Sequence, residues 1–276
     1  MPFEEKQQLP LLEASLGQGR VSILGAHGLR LSGLNSFHLD EGPNFAWLNI
    51  YRVLADAKQL DILRERIPSS ISLAEGDVVV QWDCSSALKA EIAARYHLIE
   101  ADMSVDVTFE VHPKTDYANL ELLIANYFTP YYTPRYAVSD NRVHPEGIFW
   151  YEKKWFGEDN NDAWPRDAEA RKIFQDGRWL TGYSLNWRLG PDYALPLMTQ
   201  EHKYGHAIIL MAQPEDCIGI SGFNSYHNSQ YFHLFGRNVK AEQHLATTVR
   251  MVLLTEWDKL NEQAVIQYEK WSSVHY

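Results

Sequence analysis

The sequence predicts an all-β protein, a large antiparallel two-sheet sandwich with few short helices and one helix near the C-terminal end. Two observations predict this. The first is strict alternation. Val105, Val107, Phe109 and Val111 share one face, and Ser104, Asp106, Thr108 and Glu110 share the other. Leu88, Ala90, Ile92, Ala94, Tyr96 and Leu98 alternate in the same way with Lys89, Glu91, Arg95 and His97. A period of two over this length marks half-buried antiparallel strands. The second observation is the lack of any long helical stripe before residue 255.

The elements follow in chain order. A turn is expected near residues 100–102, and strands at 77–82 and 120–128, so that residues 72–128 read as a meander of four strands. Further strands are expected at 182–189, 206–211, 217–221, 230–235 and 245–254. Leu60, Leu63 and Ile67 fit a short helix stopped by Pro68. Residues 165–176 fit another, with Pro165 in its first turn and Gly177 beyond its end. The C-terminal helix is expected at 255–271. Trp257, Leu260, Ala264, Tyr268 and Trp271 follow helical spacing, and Thr255 with Asp258 resembles a capping box. Its apolar stripe suits a sheet face or a second copy of the chain, so a homo-oligomer is left open. Residues 129–176 are aromatic, Pro-rich and polar, with little alternation, and read as a long functional loop inserted in a single domain spanning 1–276.

The 276 residues are 45% hydrophobic, enough for a sizeable core. The net charge of −11 opposes binding to nucleic acid or to an anionic membrane by general electrostatics. Cys84 and Cys217 are the only cysteines and read as ordinary thiols rather than a disulfide framework. The opening residues hold no basic region followed by an apolar one, and no apolar run approaches eighteen residues; a cytoplasmic location is the expectation.

Candidate chemistry concentrates in residues 219–237, GISGFNSYHNSQYFHLFGR. Rings and hydrogen-bonding groups are mixed there as a hydroxyl-rich ligand requires. Tyr226, Asn228 and Gln230 share one strand face, and His227, Ser229 and Tyr231 the other. Arg237 follows Gly236 and suits a carboxylate or a vicinal diol, or equally a structural brace. A second cluster is Glu201-His202-x-x-x-His206. On one strand, and equally on one helix, its imidazoles would share a face and could move protons or hold a divalent metal, although lone histidines more often pack or meet solvent. His144 stands before the ring-rich Ile148–Tyr151 stretch, which offers Trp150, and Tyr131 lies in the same aromatic segment. Trp47 and Arg52 lie on a strand reading FAWLNIYRVL that lines a cleft or faces solvent. The catalytic candidates are therefore His144, Glu201, His202, His206 and His227. The ligand-binding candidates are Trp47, Arg52, Tyr131, Trp150, Tyr226, Asn228 and Arg237. The three ring-rich segments are expected to border one concave surface.

The chain carries no G-x-S-x-G elbow, P-loop, paired C-x-x-C or G-x-G-x-x-G unit, which disfavours nucleotide enzymes of those types. The segment LPLMTQEHKYGHAIILMAQPEDCIGIS, with YHNSQYFHLFGRNVKAEQHLATTVRMVLL after it, resembles uncharacterised bacterial proteins of the galactose mutarotase-like β-supersandwich type. The resemblance implies a carbohydrate ligand on a concave face. In mutarotases a carboxylate takes the anomeric proton and a histidine protonates the ring oxygen, but their catalytic motifs do not align onto this chain. The leading expectation is acid–base chemistry on a sugar or modified sugar, of epimerase, mutarotase or lyase type. The alternatives are a non-catalytic carbohydrate-binding protein and a metal-dependent sugar enzyme using the histidines. No cofactor is expected, with a divalent metal as the less favoured reading.

Overall fold

The computed structural model describes residues 46–140, 147–153, 160–182, 184–224 and 227–273, with the backbone of four strands between residues 4 and 36. Those four strands, β1 (Glu4–Lys6), β2 (Leu11–Leu16), β3 (Gly19–Leu24) and β4 (Gly33–Ser36), pair in chain order as an antiparallel sheet. The strands that follow are β5 (Asn49–Ala55), β6 (Lys58–Asp61), β7 (Ser70–Ala74), β8 (Asp77–Trp82), β9 (Ala90–Ile99), β10 (Ser104–Pro113), β11 (Tyr117–Phe128) and β12 (Tyr132–Ser139). They continue as β13 (Ile148–Glu152), β14 (Asn160–Pro165), β15 (Arg188–Leu189), β16 (Tyr193–His202), β17 (Ala207–Ala212), β18 (Cys217–Asn224), β19 (Asn228–Val239) and β20 (Leu245–Leu254). Helix α1 is Ala168–Phe174 and helix α2 is Leu260–Ser272.

A nine-stranded sheet runs β13-β12-β16-β17-β20-β10-β9-β8-β7, and a seven-stranded sheet runs β15-β14-β18-β19-β11-β5-β6. Pairing is antiparallel apart from the two-residue contact between β14 and β15. The main core lies between the sheets. Val105, Val107, Phe109 and Val111 of β10 meet Ile50, Leu122, Ile124 and Phe232 of the seven-stranded sheet in it. Full burial of each such side chain contributes about 1.5–3 kcal/mol, so the alternation that marks these strands also drives the sheets together. The antiparallel two-sheet sandwich is thus present, and among the described residues no helix is long and apolar enough to cross a membrane.

The β9–β10 hairpin turns through a short 3-10 segment at Glu100–Asp102, where Met103 takes a left-handed conformation to close it. The meander is β7-β8-β9-β10. Strand β11 leaves it and joins the other sheet between β19 and β5. Its burial explains why alternation misplaces it. Leu122 and Ile124 enter the main core, while Leu123, Ala125 and Tyr127 enter a second apolar layer on the outer face.

Other expectations need correction. Residues 129–176 form strands β12, β13, β14 and helix α1 rather than a long loop. Their rings obscure the period because both faces are aromatic. Tyr136 and Tyr151 point into the main core, and Trp150 points outward beneath α2. Residues 182–189 supply only the two-residue β15. Leu60 belongs to β6, and the helix expected beside it is a single 3-10 turn at Leu63–Glu65. Pro165 ends β14, and α1 starts after Asp167, whose Oδ1 accepts the Ala170 amide at 2.8 Å. Helix α2 begins after Lys259, with no side-chain cap, so the predicted Thr255–Asp258 box does not form. Its stripe behaves as predicted from Leu260 onward, whereas Trp257 precedes the helix. Leu260, Ala264, Tyr268 and Trp271 pack on Leu197, Ile209 and Met211 of the nine-stranded sheet. Both cysteines are free, Cys84 exposed and Cys217 buried.

Candidate functional site

Two hairpin tips meet at one end of the sandwich. Residues 129–131 link β11 to β12, and residues 203–206 link β16 to β17. The Lys203 amide donates to the Tyr131 carbonyl at 3.0 Å, which ties one tip to the other. Gly205, at φ +93°, lets the second tip turn tightly.

This geometry replaces the expected single-strand alignment of His202 and His206. The two residues lie on either side of the β16–β17 turn, with the His202 amide donating to the His206 carbonyl at 2.8 Å. Their rings stack at 4.1 Å with planes 17° apart. Tyr132 lies against both, 4.6 Å from the His202 ring, and its hydroxyl bonds the Nε2 of His206 at 3.0 Å. Burial, and then the charge of Lys203, push the His202 imidazole below its ordinary pKa. It is therefore neutral near pH 7.

Beside these histidines stand Tyr131 and Tyr204, 52% and 76% exposed, with centroids 6.4 Å apart and planes at 51°. Of the large apolar side chains exposed among the described residues, these two alone are aromatic. The Lys203 ammonium lies 3.4 Å from the Tyr131 centroid and 4.7 Å from that of Tyr204.

Glu201 does not join this group. Its side chain takes the opposite face of β16 and bonds Arg135 at 2.6 Å, where Glu152 is the second carboxylate on the same guanidinium. Alternation along a strand forces the separation. The near-parallel His202 and His206 rings aim their in-plane lone pairs side by side rather than at a common point. Among the described residues, no three of His, Cys, Asp and Glu form a group able to hold a metal ion.

A second cluster covers the outer face of the seven-stranded sheet. His227 lies 5.3 Å from the Tyr127 ring and 5.4 Å from Phe223. The Arg64 guanidinium stacks 3.8 Å over Tyr51 and bonds the Tyr127 hydroxyl. Arg52, fully buried, donates to the Tyr51 hydroxyl at 2.8 Å. Tyr231 and Trp187 complete the wall at 5.9 Å from each other. Burial, then the Arg64 charge, push His227 down to about 4, and burial pushes Tyr231 up to about 12, so both are neutral at pH 7. The two clusters are close along the chain. Tyr127 and Tyr131 are four residues apart, so their Cα atoms lie within roughly 14 Å.

The remaining candidates are dispersed. Trp47 is a core residue, 1% exposed, stacked on Phe128 and donating to the Tyr127 carbonyl. Asn228 is equally buried and braces the tip by donating to the Tyr132 carbonyl at 2.6 Å. Trp150 lies on the far face of the nine-stranded sheet. Arg237 bonds Asp216 toward the other end of β19, about 30 Å from Asn228 at the usual strand rise. The expected single surface thus includes Tyr131, His202 and His206, with His227 nearby, and excludes Trp150 and Arg237. His144 and Tyr226 lie outside the described residues. Tyr204, Lys203, Arg64 and Tyr127 were missed. A signal for the first two was present, since HKYGH places Tyr204 before a turn-forming glycine.

One further array has the outline of a serine–histidine–acid relay. Ser221 Oγ lies 2.7 Å from His233 Nε2, and His233 Nδ1 lies 2.7 Å from Glu121 Oε1. Its setting is structural. All three are buried, and Phe174, Trp179 and Trp187 surround the imidazole. Ser221 sits mid-strand between β14 and β19, whose ladders occupy the backbone that an oxyanion hole would need. Burial works to raise Glu121, but its bonds to His233 and Arg178 outweigh this and hold the carboxyl below its ordinary pKa.

A groove of about 690 Å³ lies elsewhere, between α2 and β20, and is lined by Met103, Leu254, Ile266 and Trp271 among others. Its Arg250 already forms a two-pronged pair with Asp106, and Trp271 offers almost no exposed face. The exposed rings Tyr131 and Tyr204 lie at the hairpin tips, away from this groove.

No protein-family model matches the chain, and no curated protein matches it. Solved structures share the fold. A GH36 α-galactosidase, AgaB from Geobacillus stearothermophilus, superposes with TM-score 0.53 at 10% identity over 93% of this chain and 41% of its own. The galactosidase domain of AgaSK, an α-galactosidase–sucrose kinase, gives 0.55 at 6% identity over 92% and 42%. A TPR-domain containing protein from Parabacteroides distasonis gives 0.53 at 7% identity over 91% and 48%. This chain therefore spans less than half the length of each, and what it shares with them is the sandwich fold.

Proposed function

We propose that this protein recognises carbohydrate at the paired hairpin tips. The observation that carries the reading is the exposed Tyr131–Tyr204 pair beside the stacked His202 and His206. Tyrosine faces take the C–H face of a pyranose, and the tyrosine hydroxyls and the lysine and histidine nitrogens suit its hydroxyls. The α-galactosidases of the same fold support the reading by analogy, and fold alone does not carry function. Calorimetric titration with pyranose oligosaccharides tests it. Tyr204→Ala is expected to weaken binding by about five- to tenfold, the scale of one aromatic contact. Unchanged affinity in the Tyr131→Ala/Tyr204→Ala double variant would refute the site.

A second reading, turnover of the bound sugar by acid–base chemistry of the epimerase, mutarotase or lyase type, draws on one observation. The His202 imidazole is held in its neutral form, the form a general base needs, with the Tyr132–His206 hydrogen bond beside it. Glu201, expected as the partner base, is committed to Arg135. Assays of His202→Ala, His206→Ala and His227→Ala against aldoses and uronates decide this reading, and full activity in all three would exclude imidazole-dependent turnover.

A further inference from the structure

We infer that the hairpin-tip platform is built for an acidic sugar, a pyranose carrying a carboxylate, with Lys203 as its charge partner. The inference rests on the carbohydrate reading of the same tips and goes beyond it in naming the substrate class. Three features carry it. Lys203 is exposed and makes no ion pair among the described residues, although the chain carries 36 acidic side chains against 25 basic ones. Lys58, Lys89 and Lys270 are also exposed and without an ion pair among the described residues, so what sets Lys203 apart is its position. The carboxylate next to it in sequence, Glu201, is turned to the opposite face of β16 and held there by Arg135. The Lys203 ammonium is also positioned rather than loose. Contacts at 3.4 Å and 4.7 Å to the Tyr131 and Tyr204 centroids place it between the two rings that would hold a sugar.

An ammonium over a ring face has three donors, and the ring engages it without consuming them as a carboxylate would. A uronate whose C–H face lies on one tyrosine brings its carboxylate to that charge, and the two interactions then strengthen together. The His202 imidazole agrees with this polarity. Burial first, and then this same charge, push His202 below its ordinary pKa, so the Lys203 ammonium acts at the tips of a protein that is negative overall. A carboxylate pointed at the tips therefore finds attraction, and screening over about 8 Å at physiological salt removes most of the repulsion from distant acids.

The test compares oligogalacturonate with the neutral galacto-oligosaccharide of equal length by calorimetry, using the parent, Lys203→Gln and Lys203→Arg. Dextran sulfate fragments separate a carboxylate preference from a response to any anion. The expected result is at least about fivefold tighter binding of the galacturonate by the parent, the scale of one charge-assisted contact. The preference should vanish in Lys203→Gln, survive in Lys203→Arg and shrink as salt is raised. Equal affinity for acidic and neutral sugars in the parent overturns the inference and leaves the carbohydrate reading standing. A preference that persists in Lys203→Gln overturns it as well, as does tighter binding of the sulfated fragments. Absence of binding to every glycan refutes both readings.

Discussion

His202 and His206 stack face to face across the β16–β17 turn, 4.1 Å between centroids, with Lys203 at the adjoining position. Three nitrogen bases crowded into one turn cannot all be protonated cheaply, because each added charge repels the others. Burial and Lys203 both disfavour the imidazolium of His202. In an NMR titration His202 is expected to take up its proton below pH 6.5, and Lys203→Gln is expected to move that midpoint upward. A midpoint at or above 6.5 in the parent would contradict the electrostatic picture of the tips.

Arg178 anchors the segment that carries Trp179 and Trp187. It is fully buried and bonds Glu121 at 2.7 Å, the Asn119 carbonyl at 3.0 Å and both oxygens of Asp176. Its removal leaves the Glu121 carboxylate buried with the His233 imidazole as its remaining side-chain partner. Loss of one member of a buried pair costs about 3–5 kcal/mol. Urea denaturation of Arg178→Ala should show a loss of that order, and a loss under about 1 kcal/mol would mean that the network contributes no more than a surface pair.

What the sequence made legible follows from where period two is clean. Strands β9 and β10 have one face in the core and one in solvent, so their residues alternate, and so does their burial. Strand β11 is covered on both faces and reads simply as apolar, which hides the sheet it joins. The site was legible only in part, for a related reason. His202, His206 and Tyr131 stood out by composition, but spacing alone aligned both histidines on one strand or helix, whereas a turn at Gly205 brings them face to face. Arg64 and Tyr127 are 63 positions apart, and only the pairing of β11 with β5 brings them together. No local pattern encodes such a contact.

The two thiols should differ sharply in reactivity. Cys84 is exposed, whereas Cys217 is buried and its thiol is pushed up to about 12, chiefly by that burial. The thiolate is the reactive form. Titration of the native protein with a thiol-specific disulfide reagent should modify Cys84 within minutes and leave Cys217 intact until denaturant is added. Equal rates for both in the native state would place Cys217 outside the core.

His227 makes stability depend on pH in a defined direction. In the unfolded chain its imidazole takes up a proton near pH 6.5, whereas in the fold burial and Arg64 delay this to about 4. Between those values the unfolded state binds a proton that the folded state refuses. The contribution is therefore complete above pH 6.5 and is lost as pH falls toward 4. From pH 7 to pH 5 the loss amounts to about 2 kcal/mol, a window that avoids most carboxylate titration. His202, with its pKa lowered in the same sense, adds to the trend. Chemical denaturation at the two pH values should show the drop in the parent and a smaller one in His227→Asn, whose side chain carries no titrating proton. If the parent and the variant lose stability equally, the imidazole is accessible to protons in the folded protein, and the tightly enclosed Tyr127–His227–Phe223 packing is not maintained in solution.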